Sequence, residues 1–159
     1  TLLTFIFLGW GFMHLALIMH RLPNGLYQAM YLIILTEVCD NTSLALSRHL
    51  GNMRLLPNLN PLRTVLSTVV AFLATLFVAA GMKFLLPDKS DIYWLTSGII
   101  AGLVGVIGNL VLSAIRKDLG IKLVGPFILG RSDFLNRIER LIFTAPIYYY
   151  VMIYLMGRA

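Results

Sequence analysis

The sequence predicts an all-α integral membrane protein, a bundle of about five transmembrane helices with a polar cleft at the cytoplasmic face. Three observations predict it. The 159 residues are 58% hydrophobic and only 13% charged, with a mean hydropathy of +0.83. Water-soluble domains average roughly 45–50% apolar and about 25% charged, so lipid is the expected solvent. The apolar residues fall into five runs, most of them near the length of about 20 residues that crosses a hydrocarbon core. The Lys and Arg residues gather in the two segments that join runs two to three and four to five.

The runs define one transmembrane domain over 1–159, with spans at about 1–19, 26–46, 64–86, 92–115 and 141–156. The first ends at His20-Arg21-Leu22-Pro23-Asn24-Gly25, which is turn chemistry. It lacks a basic start and a small-residue cleavage site, so it reads as a leading transmembrane helix rather than a signal peptide. The second turns polar at Asp40-Asn41-Thr42-Ser43, short of a full crossing; its helix is expected to continue, with Asp40 shielded by protein. The third ends at Pro87-Asp88-Lys89-Ser90-Asp91. The fourth carries Gly98, Gly102, Gly105 and Gly108, and Gly98 to Gly102 is a small-xxx-small spacing that permits close helix contact, within the chain or in a homodimer. The fifth is rich in tyrosine, with Tyr148, Tyr149, Tyr150 and Tyr154.

Segments 47–63 and 116–140 must share one side of the membrane. They hold Arg48, Arg54, Arg63, Arg116, Lys117, Lys122, Arg131, Arg137 and Arg140, against Arg21, Lys83, Lys89 and Arg158 on the other. That asymmetry places the two long loops in the cytoplasm. The net charge of +6 therefore reads as membrane topology or anion binding, not as a nucleic-acid surface.

Two readings of the basic loops stand side by side. One is positive-inside bias with contacts to anionic headgroups. The other is a site for a phosphate-rich substrate, gripped by Arg forks and Lys point charges; interleaving with Gly, Pro, Asn and Asp favours it. Glu37 and Asp40, three apart, share a helix face and would bind a cation or proton, or mark a polar helix end facing a water-filled cleft. His14, His20 and His49 have no metal-ligand spacing, and the one cysteine, Cys39, excludes an internal disulfide or Cys-based zinc site. No G-x-x-x-x-G-K-S/T loop occurs. Transport usually needs ionisable groups inside the spans, and the fifth run has no Asp, Glu, Lys, Arg or His.

Two stretches resemble a known family. Gly108-Asn109, Ser113-Ala114-Ile115-Arg116-Lys117, Gly120-Ile121-Lys122-Leu123, Leu129-Gly130-Arg131-Ser132-Asp133-Phe134-Leu135-Asn136-Arg137-Ile138-Glu139 and Phe143-Thr144-Ala145-Pro146 follow in that order, at a spacing that fits one family's without a gap. They resemble the signature region of the phosphatidate cytidylyltransferase (CDP-diacylglycerol synthase) family: G-D, S-x-x-K-R, G-I/V-K-D, P-G-H-G-G-x-L-D-R-x-D. The earlier stretch holds Asp40, Arg48, Gly51, Arg54, Leu55, Pro57, Pro61 and Thr64, with Asn60 and Arg63 in place of the family's Ser and Lys. The family enzymes are longer, so the chain resembles their catalytic C-terminal half.

The resemblance implies a membrane nucleotidyltransferase of phospholipid biosynthesis, with its active face on the cytoplasmic side of a bacterial inner membrane. CTP and phosphatidic acid would give CDP-diacylglycerol and pyrophosphate, with Mg²⁺ or Mn²⁺ as cofactor and a homodimer as assembly. It implies Arg116, Lys117, Lys122, Arg137 and Asp40 as catalytic groups, and Asn60, Arg63, Thr64 and Arg131 as nucleotide- or phosphate-binding groups. Metal would fall to Asn109 and Asn136, which stand where the family has Asp, with Asp133 and Glu139 as replacement ligands and Asp40 retained. Leu123 also replaces an Asp. An amide ligates a hard cation without the charge that favours its dehydration. The alternative is therefore a member that binds anionic lipid or nucleotide, or supports a partner protein, without catalysis.

Overall fold

The computed structural model describes residues 2–50, 53–56, 60–85, 91–118 and 131–157 and, within these, all side chains except those of 2–8, 56, 60–62, 112, 116 and 131–139. Lys122 lies outside the described residues. Helix α1 spans Leu2–Arg21, α2 Gly25–Leu46, α3 Val65–Gly81, α4 Asp91–Ile99, α5 Gly105–Asp118 and α6 Arg131–Met156. A π-helical turn, Ile100–Val104, joins α4 to α5, so the described residues form five helical rods. Two of these are long and apolar enough to cross a membrane, Gly25–Leu46 and Asp91–Ile115, while Val65–Gly81 and Arg140–Met156 are shorter apolar helices.

The turn between α1 and α2 follows from its residues. Asn24 sits at φ 55°, a left-handed conformation that asparagine tolerates. Gly25 comes next because a Cβ there would lie 2.3 Å from the Ile18 carbonyl oxygen. Gln28 bonds back to the Pro23 carbonyl at 2.8 Å, which fixes the entry to α2.

Segment 47–63, expected as a loop, contains a small antiparallel hairpin, β1 (Arg54–Leu56) and β2 (Asn60–Thr64). Thr64 closes β2 and caps α3. Its Oγ1 accepts from the Ser67 N–H at 3.2 Å and donates to the Leu50 carbonyl at 2.7 Å, while Ser67 Oγ accepts from the Thr64 N–H at 3.3 Å. This reciprocal cap aligns the end of the hairpin with the start of the helix. At the other end of the chain, α6 begins at Arg131, well before the apolar run that opens at Leu141.

Helix α2 is central: it touches α1, α3, the π turn, α5 and α6. Tyr31 is fully buried and donates to the Ala79 carbonyl of α3 at 2.7 Å. The small-residue seam of the fourth run is used inside the chain, because Gly98 faces Leu76 and Ala79, and Gly102 faces Phe72. Buried side chains include His14, Gln28, Thr36, Thr75, Ser97 and Thr144, while Phe77, Leu73, Ile107 and Leu103 project outward.

Candidate functional site

The charged residues of the interior converge on Asp40. In the last turns of α2, Glu37 and Asp40 lie three residues apart and present both carboxylates to one side. Arg63, the penultimate residue of β2, is set just before the Thr64 cap and reaches α2, pairing its Nη2 with Asp40 Oδ1. Arg140 comes from the third turn of α6; its Nη1 pairs with Asp40 Oδ2 and its Nη2 lies 3.4 Å from Glu37 Oε1. Asn109, on α5, donates its amide N–H to Asp40 Oδ1 at 3.2 Å. A π turn holds more residues than the 3.6 of an α turn, so the residues of α5 are rotated relative to those of α4, and Asn109 faces α2.

Both guanidiniums are buried, Arg63 at 3% and Arg140 at 4% exposure. Buried charges are tolerated when they are paired, and among the described side chains Asp40 and Glu37 stand against the two guanidiniums. Burial first, then the positive charge of Arg140, push the Arg63 guanidinium down to about 10, so it remains protonated at neutral pH. Among the described residues, Arg63 Nε is buried without a hydrogen-bond acceptor. Beside the cluster is a cavity of about 10 Å³, bordered by Asp40, Arg63, Arg140, Cys39, Ala101 and Gly105. That is close to the space of one water.

Among the described side chains the structure brings together four of the residues singled out in the sequence, Glu37, Asp40, Arg63 and Asn109. Thr64 is next to them, its hydroxyl engaged in the α3 cap. Lys117 is exposed near the end of α5, and Arg116, whose side chain is outside those described, precedes it on the same helix. Asn60 lies on β2, and Arg131, Asp133, Asn136, Arg137 and Glu139 lie on the first turns of α6, their side chains outside those described. Lys122 is likewise outside the described residues.

The residue missed by sequence reasoning is Arg140. Hydropathy places it among the loop charges because the apolar run starts only at Leu141, whereas α6 carries it inward. The available signal was Glu37 with Asp40: two carboxylates on an otherwise apolar helix require a buried cationic partner.

Of the residues the resemblance implies as metal ligands, Asn136, Asp133 and Glu139 have side chains outside those described, and beside Asn109 a divalent ion meets an unfavourable set of groups at Asp40. Each Asp40 oxygen already faces a guanidinium, and Asn109 turns its N–H, not its carbonyl oxygen, toward it. A carboxylate accepts and cannot donate, so this amide orientation is dictated by its partner. Among the described residues no group of three or more His, Cys, Asp or Glu side chains is suited to hold a metal. The described side chains around Asp40 do not fit a divalent cation.

Comparison with known proteins places these contacts in a family context. The model of the cytidylyltransferase family matches residues 1–155. The uncharacterized protein YnbB of Escherichia coli (strain K12) is 28% identical over 134 residues, covering 84% of this chain and 45% of that protein. A phosphatidate cytidylyltransferase of Synechocystis is 27% identical over 135 residues, 84% of this chain and 46% of the enzyme. One from Staphylococcus haemolyticus is 24% identical over 147 residues, 92% of this chain and 55% of the enzyme. The chain thus spans about half the length of the curated relatives it matches.

Proposed function

Because this chain belongs to the cytidylyltransferase family, we propose that it acts on CTP and phosphatidic acid at the cytoplasmic face of a bacterial inner membrane, forming CDP-diacylglycerol and pyrophosphate. The observation that carries this reading is the meeting of its two family-like stretches. Asp40 and Arg63 come from the first, Asn109 comes from the second, and Asp40 contacts both of the others in the interior. Neither stretch alone assembles that centre. The outward-facing apolar side chains and the two long apolar helices support a membrane setting.

In this reading the lipid phosphate attacks the α-phosphorus of CTP and pyrophosphate leaves. Both reactants are polyanions, so positive charge must offset their repulsion before they approach in line. In this reading Arg116, Lys117, Lys122 and Arg137 of the second stretch meet that demand, while Arg63 and Arg140, matched by Asp40 and Glu37, tie the two stretches together. Asp40 holds the two guanidiniums in register.

A second reading is a family member that binds nucleotide or anionic lipid without turnover. It is favoured by the closed state of the cluster: its guanidiniums are paired with carboxylates, and the adjoining cavity is about 10 Å³. Transfer of label from CTP into lipid by the purified protein with phosphatidic acid separates the two. Label in the lipid fraction establishes turnover. Binding of CTP without transfer, by protein that elutes as a single folded species, selects the second reading.

A further inference from the structure

We propose that Gly105 keeps open a site for one ordered water molecule, and that this water is the hydrogen-bond partner of Arg63 Nε where α2, β2, α5 and α6 meet. The inference stands apart from the transferase reading, since it holds whatever the chain acts on.

Three observations carry it. First, the four glycines of the fourth run divide by what a Cβ would meet. At Gly98 it would lie 2.9 Å from Leu76, at Gly102 2.5 Å from Phe72 and at Gly108 3.0 Å from Phe143, so these positions serve close helix contact. Gly105 is buried too, yet a Cβ there meets nothing within 4 Å. Close packing does not account for it. Second, Gly105 borders the cavity of about 10 Å³ beside the ion pairs, together with Thr36, Cys39, Asp40, Arg63 and Arg140. That volume matches a single water. Third, Arg63 is 3% exposed and its Nε has no acceptor among the described residues. A buried donor without a partner is costly, and an oxygen in the cavity removes that cost.

The chemistry selects water over an ion. Asp40 and Glu37 already match the two guanidiniums, so an added anion or cation would leave unpaired charge in a buried place. Water is neutral and accepts from the Arg63 Nε–H. Its two protons find acceptors on the same wall, the Asp40 carboxylate and Thr36 Oγ1. Thr36 spends its own proton on backbone, donating to the Ile33 carbonyl at 2.8 Å, so its oxygen is left to accept. A water held this way makes about three hydrogen bonds, the usual number for a buried one.

The test uses the purified protein in detergent and has two arms. An experimental structure at a resolution that shows other ordered waters is expected to hold one density peak within hydrogen-bond distance of Arg63 Nε, beside Gly105. An empty cavity there, or an acceptor from the chain itself on Nε, overturns the proposal, and this arm needs no variant. Melting temperature is the second readout. Alanine favours a helix over glycine, so a methyl entering a dry void at 105 raises it. Displacing a water that serves Arg63 is expected instead to lower it by about 2–4 °C relative to Gly9→Ala, since Gly9 is an exposed glycine of α1 with equally clear surroundings. A Gly105→Ala protein as stable as Gly9→Ala, or more stable, overturns the proposal. Arg63→Lys keeps the charge and removes the Nε–H. In that background Gly105→Ala is expected to cost nothing; the same loss there marks crowding rather than a displaced water and also overturns the proposal. Where the Arg63→Lys protein does not fold, the density arm decides.

Discussion

Arg140 of α6 pairs its Nη1 with Oδ2 of Asp40 on α2, and this contact ties the two helices together deep in the bundle. It is the point at which the C-terminal helix engages the first family-like stretch. Since Arg63 holds the other Asp40 oxygen, a single carboxylate anchors both the hairpin and α6. Asp40 is therefore the residue on which the local structure depends most.

Removing that carboxylate leaves two buried guanidiniums without their shared counter-charge. Asp40→Asn is expected to destabilise the fold by about 3–5 kcal/mol, the usual cost of breaking a buried ion pair from one side. Replacing the three charges together, Asp40→Leu with Arg63→Met and Arg140→Leu, is expected to recover most of that loss. Unfolding curves in detergent for the two variants check the pair of outcomes; a triple variant as unstable as the single one contradicts the electrostatic account.

Glu37 makes the weaker contact. Its oxygen is 3.4 Å from Arg140 Nη2, its side chain is 21% exposed, and it also accepts from Asn41 Nδ2 at 3.3 Å. Glu37→Gln is expected to cost about 1 kcal/mol or less, since a partly solvated pair contributes little. The same unfolding measurement ranks it against Asp40→Asn, and equal losses contradict the geometry.

Much of this centre was legible in the sequence, and the reasons differ from residue to residue. Asp40 stood out because a carboxylate in an apolar helix is expensive and must be served. Arg63 stood out through its place in a family-like stretch. The hairpin at 54–64 was not legible, because β1 and β2 are three and five residues long and lack the alternation that marks a half-buried strand. Arg140 was hidden by hydropathy: the charged first turns of α6 lower the local average, so the apolar run begins after the helix does. The π turn was equally silent, since Ile100–Val104 has the same apolar composition as its flanks. The glycines announced close packing correctly, and only the structure shows that Gly98 and Gly102 meet α3.

Thr64 positions Arg63 through the cap that follows it. Its hydroxyl both accepts from Ser67 and donates to Leu50, so Thr64→Val loses two hydrogen bonds while keeping the shape. A loss of about 1–2 kcal/mol is expected, in the range of N-cap removals. Thr64→Ser keeps the oxygen and is expected to stay close to wild type. CTP binding should follow the same order, because a frayed start to α3 releases the hairpin that carries Arg63; a Thr64→Val protein that binds CTP as tightly as wild type breaks this link.

Close helix approach gives the last expectation, at Gly11 and Gly102. A Cβ at Gly11 would lie 2.7 Å from the Cα of Ile142, so the obstacle is the backbone of α6 and cannot rotate away. A Cβ at Gly102 would lie 2.5 Å from Cδ2 of Phe72, the edge of a side chain that can turn. Overpacking typically costs about 1–3 kcal/mol, and Gly11→Ala is expected at the upper end, Gly102→Ala at the lower. Because Ile142 lies two residues from Arg140, the shift forced at Gly11 is also expected to weaken the Arg140 contact with Asp40. Gly11→Ala should therefore lower CTP affinity along with stability, whereas Gly102→Ala should lower stability alone. The reverse order in melting experiments would mean that α1 and α6 are not in contact at this point.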